Sequence, residues 1–213
     1  MMKIRKTIPE KFYGNTPLEF STYNYPLSLN LHYNGFEKPK PYSLVLDFNQ
    51  GKKIPAKDDE MVFGCKMSEE KLKQFDFLHS WDGEVLIMNE RALKILEQTC
   101  PNDFEAFRVV IKNYKKNQEP FINKDYYIVN ILNRIDIIDW DAFEHSGKES
   151  IPLKFTKMVF KNNAMQEHKL VVEKTELWIL FSPYLAKIFY EQKFKGLRFY
   201  ADYEIKGYPL QKT

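Results

Sequence analysis

The run from Tyr126 to Glu144, YYIVNILNRIDIIDWDAFE, limits the possible folds of this chain more than any other stretch. Its first half is the longest block of strand-forming residues, rich in β-branched and aromatic side chains that suit a pleated, covered surface. Its second half gathers acids around a tryptophan. A chain organised about such a run needs a sheet with at least one buried face. The fold class this points to is α+β: a single domain with a mixed, mainly antiparallel sheet and a few short helices.

Side chains alternate faces along an extended strand. Tyr127, Val129, Ile131, Asn133, Ile135 and Ile137 make one nearly apolar row, while Ile128, Asn130, Leu132, Arg134, Asp136 and Ile138 make a mixed one. The expectation is a strand with one core face and one half-covered face. On such a strand Asp136 and Asp139, three apart, point to opposite sides. Asp141 and Glu144 have the spacing of an N-cap and its third residue, which predicts a short helix or turn there.

Two other segments read as strand, helix, strand. In residues 85 to 111 an apolar run stops at Asn89, an N-cap, and Ala92, Leu93, Ile95 and Leu96 form a helical stripe. Pro101 closes that helix before FEAFRVVI. In residues 176 to 200 LWILF leads into Ser182 as N-cap and Pro183 at the first helical position, where its missing N–H costs nothing. Gly196 then supplies a left-handed residue before a closing strand, LRFY. Residues 68 to 78 predict a short helix from Ser68 with Leu72, Phe75 and Leu78 on one side. Residues 112 to 125 read as a basic polar connection, and residues 153 to 160 and 169 to 174 as strands joined by a turn at NNAMQE.

Residues 1 to 57 differ in character from the rest. They hold six of the eleven prolines and nine aromatic residues, which predicts an irregular or short-stranded segment packed on the main domain. YSLVLDF, residues 42 to 48, is its best strand, with LSLNLHY, residues 27 to 33, as a second. The expected division is therefore an N-terminal segment over 1–57, an α+β domain over 58–203 and a loosely held tail over 204–213.

The net charge of +3 is too small to indicate a nucleic-acid or membrane partner by itself, although residues 1 to 57 carry +5 of it and the remainder −2. Aromatic rings interleaved with lysines suit single-stranded nucleic acid as well as a packed core. That leaves a nucleic-acid-binding module, using this segment with Lys112, Lys115 and Lys116, as an alternative function. Cys65 and Cys100 show no metal-binding spacing and read as free thiols. With no apolar signal region and no run of 18 apolar residues, the expected location is the cytoplasm.

The sequence holds no recognisable catalytic constellation. His32, His79, His145 and His168 have no zinc-type spacing. No two of the eight glycines lie within ten positions of each other, which excludes the usual phosphate loops. Ser146 lacks a nucleophile elbow, and Cys100 sits at the wrong end of its helix for a stabilised thiolate. Asp136, Asp139, Asp141 and Glu144 form the densest acidic cluster. Its readings are capping and solvated rim, a binding surface or, with His145, an enzyme site whose acids converge only in three dimensions. The expectation is no enzyme, no cofactor and no metal.

In order, the motifs VLIMNERALKILE, DFEAFRVVI, YYIVNILNRIDIIDWDAFE and LWILFSPYLAKIFYEQKFKGLRFY resemble a family of bacterial immunity proteins from polymorphic-toxin systems. The resemblance runs from about residue 60 to 203. It rests on a YxxxNxLxxxDxxDW-type central strand and on Lys195, Gly196 and Phe199 after the last helix, and this chain departs from the pattern in placing Ser146 only after Asp141-Ala-Phe-Glu144. What it implies is a protein that binds and neutralises a cognate toxin without catalysis. By that implication Asp136, Asp139, Asp141 and Glu144 are candidate partner contacts to a basic surface, with Trp140 as an aromatic anchor. Trp81 and Asp82 make a second candidate pair. The alternative for Trp140 is burial in the core.

Overall fold

The centre of the molecule is a long hairpin of β6 (Phe104–Asn113) and β7 (Ile122–Ile131), paired antiparallel from Phe104↔Ile131 to Lys112↔Ile122 with a register shift between Val109 and Ile111. The computed structural model describes residues 48–54, 61–65, 67–78, 85–113, 119–141, 160–161, 164–175 and 178–197 with their side chains. Of residues 13–15, 32–33, 144–146, 153–157, 199–201 and 209–210 it describes the backbone. Both strands of the hairpin reach into the stretch expected to be a polar connection. The β propensity of Ile111, Phe121 and Ile122 extends the ladder beyond the lysines.

Around the hairpin lies a six-stranded sheet. It contains β2 (His32–Tyr33), β3 (Met61–Cys65), β6, β7, β5 (Leu86–Asn89) and β4 (Phe77–Leu78) in that spatial order. Only β3 with β6 is parallel. A second sheet of five strands runs β13 (Phe199–Ala201), β1 (Tyr13–Asn15), β12 (Ile179–Phe181), β11 (Leu170–Glu173) and β8 (Arg134–Ile135). There β8 with β11 is the parallel pair. A third holds β14 (Pro209–Leu210), β10 (Leu153–Lys157) and β9 (Glu144–Ser146). The domain is α+β with mixed sheets.

Among the described residues there are three short helices. Helix α1 (Glu69–Leu72) starts at Ser68, whose Oγ accepts from Lys71 N, but it lasts one turn and Phe77 and Leu78 enter β4 instead of a helical stripe. Helix α2 (Glu90–Thr99) starts where Asn89 Oδ1 accepts from Ala92 N at 3.0 Å, and it buries Ala92, Leu93 and Leu96. Helix α3 (Pro183–Glu191) starts where Ser182 Oγ accepts from Leu185 N at 3.3 Å, and it buries Leu185, Ala186 and Phe189. Both N-caps sit where the sequence places them, because each satisfies a free N–H in the first turn.

The core has three layers. Between the two large sheets lie α2 and α3, and there Leu86, Met88, Val129 and Ile131 meet Leu170, Val172, Ile179 and Phe181. On the far side of the six-stranded sheet Phe48, Phe63, Leu72, Ile87, Tyr126 and Ile128 form a second layer. On the far side of the five-stranded sheet Ile137, Ile138, Phe160 and Met165 cover Val171 and Leu180. From Tyr126 on, strand β7 is therefore covered on both faces, odd positions inward to the helices and even positions outward to Phe48 and Phe63. The half-covered face expected from Asn130 is a covered one, since Asn130 is satisfied by bonds to chain 80 residues away.

Other expectations are corrected by the topology. The strands expected on either side of NNAMQE belong to different sheets, so the turn at residues 164 to 167 is a crossing between sheets and not a hairpin. Glu144 lies in β9, and the rest of the short helix or turn expected between Asp141 and Glu144 falls outside the described residues. Of the two strands expected in the N-terminal segment, only His32–Tyr33 and Phe48 fall within the described residues.

Candidate functional site

Residues 132 to 141 decide where the acids lie. After Ile131 the chain leaves the six-stranded sheet: Leu132 N donates to Asp103 O at 2.9 Å, and Val172 N donates to Asn133 O at 2.8 Å. Strand β8 then joins the five-stranded sheet beside β11. The run from Tyr126 to Glu144 thus contributes to β7 and β8, in two different sheets. Its hinge is held by Asp103.

Asp103 is buried and gathers four donors. Its Oδ1 accepts from Asn133 Nδ2 at 2.9 Å and lies 2.8 Å from His168 Nδ1. Its Oδ2 accepts from the backbone N–H groups of Lys169 at 2.7 Å and Leu170 at 3.1 Å. A carboxylate needs such donors to be tolerated away from water. The sequence offered one signal for it, a position just past the end of α2 at Pro101 and Asn102, but none for its partners.

Beyond the hinge, Ile137 and Ile138 are both buried under Phe160 and Met165. Lys161 N donates to Ile137 O at 2.8 Å, and Ile138 bridges to Phe160. Two adjacent buried residues break the alternation of a flat strand. Asp136 and Asp139, expected on opposite faces, both keep solvent access on either side of this anchor, and Asp141 is exposed as well. Asp136 Oδ2 accepts from Lys161 Nζ at 2.9 Å, in a pair open to water on both sides and so of small energy. Lys161 did not emerge from sequence reasoning because nothing links positions 136 and 161 but the fold.

Trp140 is 41% exposed, one of four large hydrophobic side chains so placed among the described residues. The alternative of core burial does not describe it. The stretch of Asp136, Asp139, Trp140 and Asp141 therefore offers an exposed aromatic ring next to acids in sequence, with the backbone anchored by buried Ile137 and Ile138. Glu144 continues the chain into β9, paired with Lys157 by backbone. Trp81 and Asp82 lie outside the described residues, as do Lys115 and Lys116, while Lys112 is half-buried opposite Ile122.

No group of three metal-ligating side chains occurs among the described residues. Their two cysteines are buried and unpaired by disulfide, and burial pushes both thiols up, Cys100 to about 11. No helix among these residues is long and apolar enough to cross a membrane.

The Lys195-Gly196 pair has a structural role. Lys195 N donates to Asp76 Oδ2 at 2.8 Å, Lys195 O accepts from Asp76 N and Phe77 N, and Gly196 has φ +94° with Phe77 O 2.1 Å from where a Cβ would stand. Arg91 adds its guanidinium to Asp76 Oδ1 at 3.2 Å and lies over the Phe194 ring. This corner locks the end of α3 onto β4.

No curated protein matches the chain. Among protein families, the model described as Immunity protein family (Imm11) matches residues 33–203. The match begins well before residue 60, where the resemblance in the sequence starts. It takes in residues 48 to 54, whose bonds to Asn130 and Glu105 make them part of the sheet's outer layer.

Proposed function

The chain belongs to the Imm11 immunity protein family, and from that premise we propose that it binds a cognate protein toxin and neutralises it without chemistry of its own. The contact surface is the edge of Asp136, Asp139, Trp140 and Asp141, with Glu144 at its margin and Trp81 with Asp82 as a second contact. Carrying this reading is the exposure of Trp140 between acids on a backbone pinned by buried Ile137 and Ile138.

A tryptophan has only two side-chain torsions to immobilise when a partner covers it, and it is among the residues that dominate binding energy. Acids around it raise the rate of encounter with a basic partner surface and make that rate fall with salt. The pairing of Asp136 with Lys161 lowers the contribution of Asp136 to such a field. The place of action is the cytoplasm of a bacterium that carries the toxin.

Co-expression tests the reading. Cells that make the cognate toxin survive when the chain is present and die without it, and the purified pair elutes as one complex. Survival without complex formation would instead indicate an enzymatic or indirect mode of protection.

A further inference from the structure

Strand β1 lies between β12 and β13, antiparallel to both: Gly14 is opposite Leu180 on one side and Tyr200 on the other. Both neighbours fall inside the family match, whereas residues 13–15 fall outside it. Between these two matched strands lies a slot filled by a segment from outside the matched residues.

We propose that this slot is a strand-acceptor site, and that it accepts Tyr13–Asn15 from a second copy of this chain as well as from its own. Without β1, each of β12 and β13 turns a row of unpaired N–H and C=O groups toward the other, the arrangement that recruits an added strand. The resident strand has three residues and a central glycine, so few ladder bonds and no side chain at its middle position hold it. An identical segment matches both registers without any new contact, which is why a second copy is the favoured donor. Sixteen residues separate Asn15 from His32. At about 3.3–3.6 Å each they span up to about 55 Å, enough to cross into a neighbouring molecule.

Paired cysteines test this in the full chain. Asn15 and Ile179 are opposed residues of the antiparallel pair, a separation of about 4.5–5.5 Å that a disulfide bridges. Copies carrying Asn15→Cys are mixed with copies carrying Ile179→Cys, and oxidised after increasing times of incubation; the native Cys65 and Cys100 are buried. A covalent heterodimer that increases with time and protein concentration, and is lost on reduction, is the expected result. The double variant N15C/I179C is the reference for geometry. If it closes a bridge within one chain while the mixed copies never join, the strand is not exchanged and the proposal fails. If it closes no bridge at all, β1 does not occupy the slot and the proposal fails as well.

Discussion

Asn49 and Asn130 are bonded to each other's backbone neighbourhoods: Asn49 N donates to Asn130 Oδ1 at 2.9 Å, and Asn49 Oδ1 accepts from Ile131 N at 3.2 Å. Asn130 Nδ2 reaches on to Lys52 O at 2.9 Å and Glu105 Oε2 at 3.2 Å, and Glu105 Oε2 accepts from Ile54 N. A buried amide thus holds residues 49 to 54 across the central hairpin. Substituting Asn130→Ala strands a buried N–H and a carbonyl, and should cost about 3 kcal/mol in urea unfolding.

Asn130→Asp distinguishes this account from simple packing. It places a second carboxylate beside Glu105, where like charges raise the affinity for a proton. Stability of that variant should recover as pH falls through the carboxylate range, while the Ala variant stays uniformly weak.

Asp103 joins the end of α2 to β11 and to the hinge at Asn133. In Asp103→Asn either orientation of the new amide aims its NH₂ at donors, because Asn133 and His168 face one oxygen and two backbone N–H groups face the other. The expected loss is about 2–3 kcal/mol, measured by urea unfolding. Amide exchange should rise at Lys169 and Leu170 first. An unchanged pattern there would place the cost elsewhere.

Alkaline pH offers a further test. Burial raises the Cys100 thiol from 9.0 to about 11 and also lifts the Tyr126 phenol, whose OH bonds to the carbonyls of Leu72 and Phe75. Both groups hold their protons more tightly folded than unfolded. Their contribution is therefore complete below the unfolded values and is lost as pH rises through the folded ones. Stability should fall between pH 9 and 11, and fall less in Cys100→Ala than in the parent, by chemical denaturation across that range.

Gly196→Ala probes the corner after α3. Its φ of +94° disfavours any side chain, and the new Cβ meets the backbone of Phe77. A loss well above 1 kcal/mol is expected, read as a lowered Tm. A neutral result would mean that β4 can move away from this turn.

What the sequence disclosed follows from the range of the forces involved. Asn89, Ser182 with Pro183, and Gly196 act within one turn of chain, so their roles as caps and as a left-handed residue were legible. Asn130 misled because a polar residue on a strand normally signals a wetter face, and its partners at Asn49 and Lys52 lie some 80 positions away. The hinge at Leu132 and Asn133 carries neither proline nor glycine; it forms because Asp103 and Val172 supply bonds that only the folded chain provides. For the same reason Asp136 and Asp139 were assigned to opposite faces of a strand that ends before either. Trp140 could be named but not placed, since a tryptophan beside isoleucines suits a core as well as an edge.

The most direct test is the affinity of the purified chain for its cognate toxin, measured by calorimetry with and without Trp140→Ala. The variant should stay folded, as its Tm reports, while its Kd rises by about a hundredfold, the loss of a dominant contact of about 2–3 kcal/mol. An unchanged Kd in a folded Trp140→Ala variant would contradict the assignment of this edge as the surface that meets the toxin.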